Sequence, residues 1–301
     1  MKNSHKKLEQ AESYLQENKY TRAISLLREI HEACPEEESA LLMLAWAYYD
    51  SGDMTRALDC FHDLFEMELQ RKVFTGFAYD ELVRIYKQEK RFHDLVKICE
   101  KAVEAQSEDK GLLAELGKAY AQSGRAQEAC GVYEKMIKTE KDDSVLHCLW
   151  GEALFAAGLF AESEAAFVQA GKIDPGQEEF FHFKLAVLFQ QAQKHQDAIR
   201  LIRKCIAKNP ANPLYYCFLG DNFIGLHKID EGCAAYDQAA AYADSANKAA
   251  YYHRLGNSLM KAQIPARAAE FFRKALEFEN NPACVSGLIS ASRSMGLDEE
   301  M

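Results

Sequence analysis

The stretch Gly151–Pro175, GEALFAAGLFAESEAAFVQAGKIDP, decides how the rest of the chain is read. Gly151 and Leu154 lie on one short apolar–polar segment, Gly158 interrupts it, and Phe160, Phe167 and Ala170 recur on a second that Pro175 ends. The spacing of apolar residues at three and four predicts two amphipathic helices joined by a tight turn. The same pattern recurs about every 34 residues along all 301.

The recurrence runs outward from that stretch in both directions. Successive repeats begin near Ser4, Glu38, Gly76, Lys110, Ser144, Glu179, Pro213 and Ala249, giving units of about 4–37, 38–75, 76–109, 110–143, 144–178, 179–212, 213–248 and 249–282. Leu116–Gly117, Gly151, Leu185–Ala186, Leu219–Gly220 and Leu255–Gly256 mark the small position of the first helix. Phe61, Tyr133, Phe167, Tyr236 and Phe272 mark the aromatic position of the second. Gly52, Gly124 and Gly158 stand where a first helix must end in a left-handed turn. Pro35, Pro175 and Pro210 stand where a second helix must stop. The third repeat departs from the pattern, with Val83, Leu95 and Cys99 at its small, small and aromatic places. The step into that repeat is 38 residues, and the surplus falls in Leu69–Thr75, LQRKVFT, a candidate hinge or an elongated helix. A further helix is expected over 283–295, a solvated cap, followed by an acidic tail.

A 34-residue period with small residues in the first helix and a small–aromatic–small ladder in the second resembles the tetratricopeptide repeat (TPR) family. The resemblance covers almost the whole chain. It implies an all-α fold, a TPR solenoid forming a right-handed superhelix of about eight helix-turn-helix repeats plus the capping helix, as one array over 1–301. Such a unit cannot bury its own apolar face, so stability is expected to come from stacking on neighbours.

Composition excludes several functions. The formal charge is −10, which opposes binding to phosphate backbones, so no nucleic acid is expected as a partner. The first residues, MKNSHKKLEQAES, have no apolar run of the kind a secretion signal needs, and no stretch is apolar for long enough to cross a bilayer. No direct membrane insertion is expected. Nine cysteines occur without a C-x-x-C pair, as expected of buried free thiols in a reducing compartment, and the expected location is cytoplasmic. The nine histidines are dispersed, with no Cys/His pair at metal-ligand spacing, no glycine-rich phosphate loop, and no G-x-S-x-G or H-E-x-x-H. The chain is therefore read as not an enzyme, with no catalytic residue, metal or cofactor expected.

In the family that the chain resembles, first helices line an inner groove through the second, fifth, sixth, ninth, twelfth and thirteenth places of each repeat. Carried onto this sequence, that implies a partner-binding set of Leu42, Met43, Trp46, Tyr49, Arg84, Lys118, Leu149, Phe155, Phe180, Phe183, Lys184, Val187, Phe218, Asp221, Ile224, Arg254 and Asn257. Repeats five to seven are the most apolar of these, and Lys184, Asp221 and Arg254 are the candidates to fix a partner's register. The carboxylate clamp of the chaperone-binding members is not matched in three successive repeats; repeat eight offers only Arg254 and Asn257 beside His253. The expected function is a protein-interaction scaffold or adaptor that holds a partner peptide or amphipathic helix. The alternatives are a self-assembling structural protein, hinted at by Leu8 and Leu15 on an uncovered first helix, and a chaperone that shields an apolar client segment.

Overall fold

A computed structural model describes residues 2–71 and 76–296. Among the described residues the chain forms seventeen α-helices and no strand. The first helices of the pairs are α1 (Lys2–Gln16), α3 (Glu38–Asp50), α5 (Phe77–Gln88), α7 (Lys110–Gln122), α9 (Ser144–Ala156), α11 (Glu178–Gln191), α13 (Pro213–Gly225) and α15 (Ser245–Lys261). The second helices are α2 (Tyr20–Ala33), α4 (Met54–Gln70), α6 (Phe92–Ala105), α8 (Ala126–Thr139), α10 (Phe160–Ile173), α12 (His195–Lys208), α14 (Ile229–Ala241) and α16 (Pro265–Phe278). A last helix, α17 (Pro282–Ser294), follows. The protein is an all-α solenoid of helix pairs.

Each pair closes through one turn geometry. The second residue after the first helix has positive φ at Asn18, Gly52, Lys90, Gly124, Gly158, Gln193, His227 and Gln263. The next backbone N–H then reaches five residues back, as in Lys19 to the Tyr14 carbonyl at 2.8 Å and Lys228 to Phe223 at 2.9 Å. That bond satisfies one of the carbonyls a helix end leaves open. Only three of these eight positions are glycine, so five turns hold a side chain in the left-handed region.

Glycine has a different task inside the pairs. A Cβ on Gly117 would stand 2.6 Å from the Tyr133 ring, on Gly151 2.8 Å from Phe167, on Gly220 2.5 Å from Tyr236, and on Gly256 2.5 Å from Phe272. The small residue of each first helix is therefore the seat of the aromatic in its second helix, and the rings of Tyr133, Phe167, Tyr236 and Phe272 are almost wholly buried there.

The chain divides into two compact units, residues 1–139 and 140–301. In unit 1 a core runs from Ala11 through Leu27, Phe61, Phe65, Tyr86 and Leu95 to Leu116. Leu8 and Leu15 of α1, the hint for the self-assembly alternative, are half-buried and pack against it. The candidate hinge is divided: Leu69 and Gln70 continue α4, a helix of 17 residues, and 72–75 lie outside the described residues. Unit 2 carries one cluster built on Phe167, Phe181, Leu185, Phe189, Leu201 and Ile202, and another on Tyr236, Leu255, Leu259, Phe271 and Phe272. Its α15 starts at Ser245, a turn ahead of the expected Ala249, because Asp244 caps it by accepting from the Asn247 N–H at 2.8 Å. The further helix expected over 283–295 is α17, and Val285 and Ile289 are exposed on it. The expected acidic tail, 297–301, lies outside the described residues.

Candidate functional site

In unit 1 the expected set gathers around one tryptophan. Trp46 on α3 meets Phe61 and Tyr49 edge-on, at 5.4 and 5.5 Å between ring centroids. The Arg84 guanidinium of α5 lies over Trp46 at 5.5 Å and over Tyr49 at 5.3 Å. Arg84 donates from Nε to Glu81 at 2.8 Å and from Nη1 to Gln88 at 3.1 Å. Leu42 and Met43 are half-buried beside this group and pack on the core. Lys118 is exposed on α7. Arg84 thus shields the two rings and bridges α3 to α5, which makes this cluster first of all a packing device.

In unit 2 the first helices form a continuous ladder. Glu152 of α9 pairs with Lys184 of α11. Lys184 also lies over the Phe180 ring at 5.8 Å. Phe183 of α11 meets Tyr215 at 5.0 Å and Phe218 of α13 at 4.9 Å. Arg254 of α15 then covers Phe218 at 4.6 Å and donates to Asp221 of α13 from Nη2 at 2.6 Å and Nε at 3.1 Å. Asp221 accepts two further bonds, from the Tyr236 hydroxyl and the Ser258 hydroxyl, both at 2.6 Å. Burial, and after it the Asp221 charge, hold the Tyr236 phenol well above its ordinary pKa.

This geometry revises the role of several expected residues. Lys184, Asp221 and Arg254 are engaged with partners inside the chain and bolt neighbouring first helices together. Ile224 is 3% exposed and offers a partner no surface. It is drawn inward because Gly232 of α14 leaves room: a Cβ there would stand 2.6 Å from Ile224 Cγ1. Phe155 packs on Phe160 at 4.9 Å and on Phe189 at 5.1 Å, between repeats. Leu149 and Val187 are half-buried, and Asn257 is exposed on α15 within 3.4 Å of His253.

Phe180 is the expected residue that stands out, at 51% exposed. It is not alone. Val145 on α9 is 63% exposed and Leu214 on α13 is 39% exposed. The three occupy the same place near the start of successive first helices. Each sits one turn ahead of a ladder residue four positions on: Val145 before Leu149, Phe180 before Lys184, Leu214 before Phe218. Val145 escaped the sequence reading, although its signal was present as an apolar residue at the register of Phe180 one repeat earlier.

Among the described residues no group of three or more His, Cys, Asp or Glu converges as a metal site. All nine cysteines are free, seven of them buried. Burial pushes the thiols of Cys60, Cys99, Cys205 and Cys217 up to about 12 and that of Cys148 up to about 11. His195 shares a hydrogen bond of 2.9 Å with the fully buried Asn222, which ties α12 to α13. Among the described residues no helix is long and apolar enough to cross a membrane.

Three stretches of the chain match family models described as tetratricopeptide repeat, at residues 14–70, 112–145 and 182–212. Similar solved structures include a MamA fragment from Desulfovibrio magneticus RS-1, at 20% identity and a TM-score of 0.41, covering 56% of this chain and 94% of that one. A tetratricopeptide repeat protein from Parabacteroides merdae matches at 13% identity and a TM-score of 0.43, covering 97% of this chain and 100% of its own. YrrB, described as a TPR protein with an unusual peptide-binding site, matches at 14% identity and a TM-score of 0.40, covering 65% of this chain and 97% of its own. No curated protein sequence matches this one.

Proposed function

From the premise that this chain is a tetratricopeptide repeat protein, we propose that it is a non-enzymatic interaction scaffold that holds an apolar segment of a partner protein against the first helices of unit 2. The observation that carries this reading is the stripe Val145, Phe180 and Leu214, exposed at one register on α9, α11 and α13. Single exposed apolar residues are ordinary on a protein surface, whereas an aligned row on adjacent helices is a contact surface. The family itself is one of interaction modules, which supports binding as the activity.

The mechanism is pre-organisation. The Glu152–Lys184 and Asp221–Arg254 pairs and the Phe183–Phe218 contact fix the first helices relative to one another, so little conformational freedom remains to be lost when a partner docks. Phe180, Val145 and Leu214 supply the apolar area; Phe183 and Phe218 form the floor one turn on. The charges on the face neutralise each other in pairs, which suits an apolar segment better than a charged one.

The test is selection of displayed peptides on the purified protein. Peptides recovered on the wild type are expected to be rich in apolar residues and to be lost on a Val145→Glu, Phe180→Glu, Leu214→Glu variant of unchanged helicity. Peptides retained equally by both proteins would remove this face from the account.

A further inference from the structure

In unit 1 a cleft of about 340 Å³ lies between α2 and α4, with the buried Leu41, Leu44 and Tyr48 of α3 lining it from beneath. Pockets that enclose small molecules measure roughly 300–1,000 Å³.

Tyr48 is 6% exposed, and among the described residues its hydroxyl makes no hydrogen bond. Tyr86 of α5 and Tyr120 of α7 stand at the same place in the next two repeats. Each is bonded to the preceding second helix, Tyr86 with His62 of α4 at 2.5 Å and Tyr120 donating to Glu100 of α6 at 2.8 Å. The residue of α2 at the place of His62 and Glu100 is Arg28. It turns along its own helix to Glu32, 3.6 Å away, and leaves the phenol unmet. A buried hydroxyl without a partner is costly, and a ligand that supplies one removes that cost.

The charges of the cleft are also unbalanced. Lys101 of α6, Lys135 of α8 and Lys274 of α16 share one place in their repeats, and pair with Glu66, Glu108 and Asp237 of the repeat before. In α4 that place holds an acid, Asp63. Asp59 precedes it by one helical turn, with about 6 Å between the Cβ atoms. Both carboxylates line the cleft, and among the described residues neither has an ion pair. The arginines of the cleft are engaged elsewhere, Arg28 with Glu32 and Arg56 with Asp53 at 3.3 Å. Cys60 lies between the two acids as a neutral thiol, pushed up to about 12 by burial and then by Asp63 and Asp59. His31 completes the titratable lining, its buried Nδ1 without a hydrogen-bond partner.

We propose that this cleft binds a small organic amine as its ammonium ion. The three N–H donors of a primary ammonium match Asp59, Asp63 and the Tyr48 oxygen, while its apolar body lies on Leu41 and Leu44. An anion would be repelled by the two carboxylates, and a purely apolar ligand would bury them unpaired.

Titration of the full chain with phenethylamine, an ammonium ion at neutral pH, tests this in two-dimensional amide NMR spectra. Saturable shifts confined to α2, α3 and α4 are expected, with a dissociation constant on the order of 1 mM. Phenylacetate, the same body with the opposite charge, is expected to shift nothing there. An Asp59→Asn, Asp63→Asn variant is expected to weaken binding about ten-fold or more with helicity unchanged, both side chains being exposed. Tyr48→Phe is expected to weaken it about three-fold, with the melting temperature of the free protein unchanged because the hydroxyl has no partner to lose. Glu270→Gln, Glu277→Gln removes as much charge from α16 and is expected to bind as the wild type does, which separates the cleft from a general attraction of amines to an acidic chain. No saturable shift up to about 20 mM overturns the proposal. So do shifts spread over both units, equal binding of phenylacetate, undiminished binding by either cleft variant, or an equal loss in the α16 variant.

Discussion

At the residue scale the protein depends on steric vacancies and on backbone conformations that side chains resist. Gly220 shows the first. Tyr236 and the Gly232 carbonyl occupy the space a side chain would need, at 2.5 and 2.9 Å from a built Cβ. Because one of these neighbours is backbone, the pair cannot relax by turning a side chain. Gly220→Ala is expected to destabilise unit 2 by about 1–3 kcal/mol in chemical denaturation, a cost typical of overpacking. His227 shows the second. Its φ of 59° is the left-handed conformation that glycine adopts at Gly52, Gly124 and Gly158. His227→Gly is expected to stabilise the protein by about 0.5–1 kcal/mol, the relief of strain exceeding the added freedom of the unfolded chain. His182 gives a pH dependence. It is buried, and burial followed by Lys204 and Lys208 holds its pKa below the ordinary 6.5, against the opposing pull of Glu178 and Glu164. The unfolded chain therefore binds a proton before the folded one does. Stability is full above pH 6.5 and falls as pH drops through the folded pKa. Tyr79, Tyr216 and Tyr252 occupy the same place in other repeats, so His182→Tyr is expected to flatten that acid limb in melting temperatures measured from pH 7.5 to 5.

At the element scale the first helices of unit 2 are joined by polar bolts as much as by apolar packing. Asp221 is the centre of the strongest, accepting from Arg254, Tyr236 and Ser258 across α13, α14 and α15. Asp221→Ala leaves Arg254 without its carboxylate and the Tyr236 hydroxyl, nearly buried, without an acceptor. A loss of about 2–3 kcal/mol in urea unfolding is expected, while Asp221→Asn, which keeps an acceptor, loses less. This element-level detail marks the limit of what the sequence discloses. The helix pairs were legible because steric demands write themselves as Gly151–Phe167 or Gly220–Tyr236, residue types at a fixed interval. The status of a charged residue is not written in that way. Asp221 and Arg254 sit at places that face a partner in the related fold, and only the side-chain geometry shows them bonded to each other. Ile224 was hidden for a different reason: its burial depends on Gly232, a second position whose effect is felt only after the helices are packed. Val145 was readable by its register with Phe180, and its exposure beside Phe180 and Leu214 is what the structure adds.

At the scale of the whole molecule, each unit has its own core; the three stripe residues lie in unit 2, while Phe77 of α5 in unit 1 is exposed at the same register. The pairing of Glu152 with Lys184 and of Asp221 with Arg254 leaves that face without a free charge from these four residues. If a partner docks there as proposed, binding is expected to be driven by apolar burial, with a negative heat-capacity change and little response to salt. The most direct measurement is calorimetric titration of one selected apolar peptide into the purified chain and into the Val145→Glu, Phe180→Glu, Leu214→Glu variant. The account predicts a negative heat-capacity change, an affinity nearly constant between low and high salt, and a loss of about a hundred-fold or more in the variant. An affinity unchanged by the three substitutions, or one that collapses with salt in the wild type, would contradict it.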